Sequence, residues 1–427
     1  MSSNADARAG TTELDDLNSQ GAGGQNLSTP RVVLAISALA LGGFAIGTTE
    51  FVTMGLLPQI AAGVGVSIPT AGHIITAYAL GVVVGAPVIA ALGAKMPRKG
   101  MLVMLMIVFA VCNAGAAMAQ GFGSLTLMRF LSGVPHGAFF GIAALVAASL
   151  VSPAHRGRAV AAVMMGLSVA NVIGVPLATW MGQQLGWRSA YWLVAGIALA
   201  TVASVLRLVP HKPPCGTATI RGELSALKKP QVVMALLVGT IGFGGMFAMY
   251  SYIAPLVTEV GGMSEASVPV YLALYGLGGV AGAIIGGRMA DHAVLKAMAG
   301  SLVAMGLLLG LLTVSITQPV LAGATIVCIA FSGSALVIAL QVRLMDVAGQ
   351  AQTLGAALNH SSLNLANALG AWLGGLVIAH GLGYRATSWV GVVLAGLGLL
   401  VVAVSAVTSR RWPTGASAAL PQPITDK

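Results

Sequence analysis

The chain has 427 residues, 57% of them hydrophobic and 7% charged, with a mean hydropathy of +0.91, against about 25% charged in an ordinary soluble domain. This excludes a water-soluble globular protein and indicates an integral membrane protein. The net charge of +10 raises nucleic acid or acidic lipid as partners, and the distribution of that charge decides whether either is needed.

In chain order, residues 1–30 are rich in Ser, Asn, Gly and Asp and lack a basic segment followed by a short apolar stretch and cleavage site. They read as a disordered cytoplasmic tail. Apolar runs of roughly 20 residues then recur to the end, each long enough to cross a ~30 Å hydrocarbon core as a helix. Stretches such as "MLVMLMIVFAVCNAGAAMA" (101–119) do not alternate apolar and polar residues, which sets aside a β-barrel. Twelve spans are predicted, over 32–57, 71–93, 101–119, 125–150, 159–182, 190–206, 231–257, 267–289, 297–316, 320–340, 354–379 and 386–408. Alternate connections carry nearly all of the 21 Lys and Arg residues, among them Lys95, Arg98, Lys99, Arg156, Arg158, Lys229 and Arg343, while Arg188 and Arg385 fall on the other side. The positive-inside rule therefore places both termini in the cytoplasm, and no nucleic-acid partner is needed. Cys112 and Cys328 fall inside spans and Cys215 in a basic loop. Without pairs or CxxC spacing, neither a disulfide nor a metal site is expected.

The polar linker 208–230 divides the spans six and six, giving an N-terminal six-helix bundle over 31–207, a C-terminal one over 231–409 and a cytoplasmic tail over 410–427. A shift of 197 residues aligns Pro58 with Pro255, Gly65 with Gly262, Tyr78 with Tyr275, Gly81 with Gly278, Gly85 with Gly282 and "LGWR" (185–188) with "LGYR" (382–385). A shift of 196 aligns "ANVIG" (170–174) with "ANALG" (366–370). The expected fold is all-α, a polytopic membrane protein of twelve helices in two pseudo-symmetric bundles. Because six is even, the repeats run parallel, an arrangement used by transporters that bind substrate between the halves.

Few polar residues interrupt the spans. Glu50 lies in span one, roughly 8 Å outward of its midpoint at 1.5 Å per residue, where a charge costs about 2.5–3.5 kcal/mol on insertion scales. Desolvation favours its protonated form and a nearby cation its ionised form, so a carboxylate between them can take up and release protons; the alternative is a static acid bonded to Thr48, Thr49 or a neighbouring helix. Arg129 opens "RFLSGVPHGAFFG" in span four, roughly 13 Å outward of that midpoint, and either pairs with an acceptor such as Glu50 or snorkels to the headgroups. His136 either titrates or contacts substrate, or is satisfied by a carbonyl. In span eleven His360, Asn364 and Asn367 share one helix face, with Ser168 and Asn171 at matching positions in span five; these amides either line a wet cavity or join helices. Span seven offers Phe247, Tyr250 and Tyr252, an aromatic patch suited to a lipophilic ligand, although interfacial tyrosine belts account for Tyr252 as well. Gly81, Gly85, Gly278, Gly282 and Gly286 form ridges for close helix packing.

The stretches "TTEFVTMGLLPQIA", "RFLSGVPHGAFFG", "ANVIGVP", "LGWR" and "LNHSSLNLANALGAWLGG" resemble the major facilitator superfamily, within it the bacterial twelve-helix drug/proton antiporters of the arabinose-efflux and chloramphenicol-exporter branch. The resemblance implies that spans one, four, seven and ten line a central cavity reached by rocking of the halves. It carries the span-four coupling arginine onto Arg129, with Gly133 as its glycine, and the gating loop after span two onto "AALGAKMPRK" (90–99). There Arg98 and Lys99 match, but Ala94 stands where an acid belongs; the second-half loop "GRMADH" keeps Asp291. In span five "GVP" (174–176) departs from the antiporter signature.

The expectation is therefore a secondary transporter of the bacterial inner membrane and not an enzyme: a proton-coupled antiporter exporting small lipophilic or uncharged compounds, with Glu50 and Arg129 coupling and His136, Asn171, Tyr250, His360, Asn364 and Asn367 lining the cavity. Its partners are substrate, protons and membrane lipid, with no cofactor and no nucleic acid, and it is expected to be a monomer. The rival reading is a sugar or nucleoside exporter without proton coupling. No HExxH, paired membrane aspartates or Ser/His dyad supports an intramembrane enzyme.

Overall fold

The computed structural model describes residues 29–93, 96–152, 155–211, 229–348 and 352–409. Nearly all of the 1–30 tail, most of the 208–230 linker with Cys215, and the 410–427 tail lie outside the described residues. The helices are α1 (Thr29–Gly55, continued by Leu57–Val64), α2 (Ile68–Gly93), α3 (Arg98–Ala117), α4 (Phe122–Ser149) and α6 (Arg188–Leu208), with α5 (Arg156–Leu185) and α7 (Pro230–Tyr250) each interrupted by a π-helical turn. In the second half, α10 is Pro319–Ala348, α11 Gln352–Ala379 and α12 Arg385–Ser409.

Between α7 and α10 runs one helical stretch, Val268–Ser315, of 48 residues. A straight helix of that length would be about 72 Å long, more than twice the hydrocarbon thickness. It breaks at Ala293, whose φ of −162° and ψ of 90° are not helical. The two limbs fold back, because the Tyr271 hydroxyl near the start donates to the Pro319 carbonyl just past the end at 2.9 Å. The limbs are α8 (268–292) and α9 (294–315), so the described residues hold twelve crossing helices, most of them beginning or ending one to four residues beyond the sequence-derived bounds. One extension matters. The predicted tenth span stops at 340, but α10 runs on to Ala348 and buries Arg343, which the sequence reading treated as a loop cation.

The repeat is visible in backbone geometry. Gly65 and Gly262 adopt the left-handed conformation, with φ of 70° and 66°, and Gly186 and Gly383 also have positive φ, 86° and 73°; each pair is 197 residues apart. Only glycine enters this region without strain. Packing repeats in the same register: a Cβ on Gly81 or Gly85 of α2 would collide with the Phe130 or Val134 carbonyl of α4, and one on Gly278 or Gly282 of α8 with the Val327 or Phe331 carbonyl of α10. These glycines let neighbouring backbones touch, where dispersion and not water drives helices together.

The halves meet along α2–α11 and α5–α8, toward the end opposite the termini, here called the far end. There the Gln59 amide donates to the Glu265 carboxylate at 2.9 Å and the Gln183 amide to the Glu265 carbonyl at 2.8 Å. One continuous apolar core joins the far end of the first half to the second half. A separate core fills the terminal-side part of the first half.

Candidate functional site

The polar residues of α1 cluster at its far-end third: Thr48, Thr49 and Thr53 are fully buried, and Glu50 is 7% exposed. Helical spacing turns Thr49 toward α3 and α4, where its hydroxyl donates to Asn113 Oδ1 at 2.6 Å and accepts from Arg129 Nη1 at 3.2 Å. Arg129 has no exposed surface; it does not snorkel. Its guanidinium lies 4.2 Å from the ring centre of Tyr78 and 5.6 Å from that of Tyr191, two π-faces that attract a cation strongly where water is excluded. Tyr191 is held in turn by a 2.9 Å hydroxyl bond with Thr53. None of the Arg129 hydrogen bonds goes to Glu50, and its Nε and Nη2 have no partner. A fully buried arginine with two idle donors is poised to accept an anion that moves toward it.

Glu50 stands at the seam between the halves. Its neighbour Thr49 binds Arg129 of the first half, and its other neighbour Phe51 packs on Phe247 and Tyr250 of the second. The Asn367 amide of α11 faces it, yet neither Oδ1 nor Nδ2 of Asn367 completes a hydrogen bond. Beside it runs an aromatic wall. Phe51 lies parallel to Phe247 at 6.4 Å and edge-on to Tyr250 at 5.9 Å, and Tyr250 stacks on Tyr275 at 4.0 Å.

Toward the terminal end, His136 follows Pro135 in α4. Its Nδ1 meets the Tyr78 hydroxyl at 3.1 Å, so its partner is a tyrosine and not a carbonyl. Its ring packs on Phe140, whose own ring lies parallel to His360 of α11 at 5.9 Å. His136, Tyr78, Arg129 and Thr49 thus form one connected row, with His360 across the seam.

The remaining predicted residues are placed apart. Asn364 and Asn171 spend their amide N–H groups on their own helices, donating to the His360 carbonyl at 3.0 Å and the Leu167 carbonyl at 3.2 Å; their oxygens have no partner. Neither amide joins helices, which removes one of the two roles considered for them. Tyr252 is not an interfacial belt residue: it is fully buried, its hydroxyl donates to the Ala371 carbonyl at 2.8 Å, and it abuts Gly72 of the opposite half. Lys99 donates to the Leu206 carbonyl of its own half at 2.8 Å, Arg98 lines a small pocket with Val146 and Pro210, and Asp291 is exposed on α8. Among the described residues, no hydrogen bond joins these three to one another.

Sequence reasoning missed Asn113 and Tyr191, considered Thr49 only as a partner of Glu50 and not of Arg129, and used Tyr78 and Tyr275 only as repeat markers. The available signal was their common register and the mid-span position of Asn113.

Comparison with known proteins agrees with this architecture. The family description "Major Facilitator Superfamily" matches residues 39–359. The Inner membrane transport protein YdhP of Escherichia coli (strain K12) is 42% identical over 86% of this chain and 95% of its own length. A Chloramphenicol resistance protein of Streptomyces lividans is 33% identical over 86% and 95%, and a Probable sugar efflux transporter of Helicobacter pylori (strain P12) is 30% identical over 87% and 94%. Among solved structures, a bacterial homologue of the human lysosomal transporter Spinster, inward-facing and occupied, superposes with a TM-score of 0.71 at 16% identity, covering 90% of this chain and 99% of that one, a likeness of fold. The chain belongs to the Major Facilitator Superfamily: it is a multi-pass membrane transporter, not an enzyme.

Proposed function

We propose that the protein is a proton-driven exporter of small lipophilic or uncharged compounds, with Glu50 as the proton-carrying site and Arg129 as its counter-charge. One observation carries this reading: the buried carboxylate stands where the halves meet, between Thr49, which binds Arg129, and Phe51, which packs on Phe247 and Tyr250 of the other half. Ionised, Glu50 is drawn toward the idle Arg129 donors; protonated, it can donate to the Asn367 oxygen across the seam. The proton thereby changes which half Glu50 holds, which is what coupling to a rocking motion requires. The aromatic wall of Phe51, Phe247, Tyr250 and Tyr275 supplies an apolar face for substrate. A Chloramphenicol resistance protein among the relatives supports drug-like cargo.

The reading includes termini on the cytoplasmic side, two bundles divided at the 208–230 linker, a monomer, and terminal-side gating by Arg98, Lys99 and Asp291. The cavity includes His136, His360 and the amides of Asn171, Asn364 and Asn367. Those amides favour a second reading, a sugar exporter working without protons: acceptors on Asn171, Asn364 and Asn367 are unpaired and would suit hydroxyl groups, and a Probable sugar efflux transporter is among the relatives.

Inverted vesicles with an acidic interior distinguish the two. A drug-like compound that drains the gradient through the wild type but not through Glu50→Gln establishes antiport. Equilibration of sugars at equal rates in both, with no proton movement, would replace the first reading by the second.

A further inference from the structure

The break at Ala293 opens a groove of about 480 Å³ at the terminal end of the second half, lined by Arg288, His292 and Lys296 together with Ile285 and Met289. We propose that it is a binding site for an anionic phospholipid of the adjacent leaflet, the phosphate lying between Arg288 and Lys296 and an acyl chain following Ile285 and Met289.

The residues define an amphiphile. Arg288, His292 and Lys296 are all exposed; Arg288 and His292 stand one turn apart on α8, and beyond the break at Ala293 Lys296 of α9 lines the same groove. The His292 ring is fixed by its Nδ1–H, which donates to the Arg288 carbonyl at 2.8 Å, leaving the two permanent cations flanking it. Asp291, the acid closest to them in sequence, is not among the residues that line the groove. One turn deeper into α8 the lining becomes apolar, with Ile285 43% and Met289 37% exposed. A soluble anion would satisfy only the first part of this lining; a phospholipid satisfies both. Basic pockets between spanning helices at the membrane surface attract acidic head groups in this way.

The test uses the full chain purified with its three cysteines intact and measures equilibrium binding of phosphatidylglycerol by native mass spectrometry. R288Q/K296Q should weaken binding about 30-fold, the effect of two charges at a leaflet surface, and the swap R288K/K296R should restore it. The pair R156Q/R158Q, exposed cations of the same end, should leave binding within about twofold. In the wild type, photoactivatable phosphatidylglycerol should cross-link within 285–297, a readout that needs no variant. Equal loss in both neutralised pairs would reduce the groove to general surface charge. Displacement of the lipid by millimolar inorganic phosphate would make it a soluble-anion site. Cross-linking confined elsewhere would overturn it outright.

Discussion

Gly276 of α8 is where a single methyl group should separate the halves. A Cβ at this position would lie 2.5 Å from the Asn171 carbonyl oxygen and 2.6 Å from its carbonyl carbon, and those backbone atoms belong to the π-helical turn of α5 in the other half. Backbone cannot swing aside as a side chain does, so Gly276→Ala must move one helix against the other. Forced overpacking of this kind costs about 1–3 kcal/mol, which corresponds to a five- to 150-fold shift, at about 1.4 kcal/mol per tenfold, away from the arrangement closed at the far end. Ser251, fully buried next to Tyr252, which abuts Gly72 of the opposite half, reports the opening: with Cys112, Cys215 and Cys328 replaced, Ser251→Cys should react with an impermeant maleimide faster by that factor once Gly276→Ala is added. Gly278 provides the control, because its Cβ would strike the Val327 carbonyl within the same half. Gly278→Ala should lower the melting temperature and leave the labelling rate alone. Unchanged labelling in Gly276→Ala, with a lowered melting temperature, would show that α5 and α8 do not part during the cycle.

Arg129→Met removes a cation held by Thr49 and the faces of Tyr78 and Tyr191; proton-coupled transport should fall at least tenfold, and Arg129→Lys should restore only part of it, since an ammonium cannot stack flat on both rings. A rate for Lys equal to wild type, measured in proteoliposomes under an imposed pH gradient, would contradict the role of the stack. Asn367→Leu deletes an amide that forms no hydrogen bond, so the melting temperature should be kept while transport drops; equal losses of both would make Asn367 structural. Arg343→Met breaks the 2.9 Å bond from Nη2 to Gln231 Oε1, and because Gln231 also accepts from Ser405 at 2.7 Å, thermal melts should show a loss of about 1.5–3 kcal/mol with substrate affinity unaltered.

How much of this was legible in the chain depends on what makes a residue conspicuous. Glu50 and Arg129 stood out because a charge inside an apolar run is rare and costly, and the repeat was readable because glycines at turns and close crossings admit few substitutes. Thr49, Tyr78 and Tyr191 were not legible as partners of Arg129. A hydroxyl or an aromatic ring in a span has many ordinary uses, and which face it presents to a helix distant in sequence follows from tertiary packing alone. Arg343 was misplaced for a simpler reason: the apolar run ends near 340, but the helix continues for two more turns inside the bundle, where Gln231 compensates the guanidinium.

The repeat also explains why the chemistry is one-sided. The shift of 197 that equates the close-packed glycines equates Glu50 with Phe247 and Arg129 with Ile326, so the second half kept the scaffold and holds no counterpart of the charged pair. It kept the tyrosine: Tyr78 supports Arg129, and its equivalent Tyr275 instead stacks on Tyr250 beside Glu50. Phe247, standing where a second carboxylate would be, lies parallel to Phe51, the neighbour of the first. The halves therefore contribute unequally to one seam: the charged pair comes from the first, and three of the four rings of the aromatic wall, Phe247, Tyr250 and Tyr275, come from the second. Under the proposed function, one proton-carrying site facing one apolar face would suit the exchange of a proton for a lipophilic molecule, and a second carboxylate in place of Phe247 would remove part of that face.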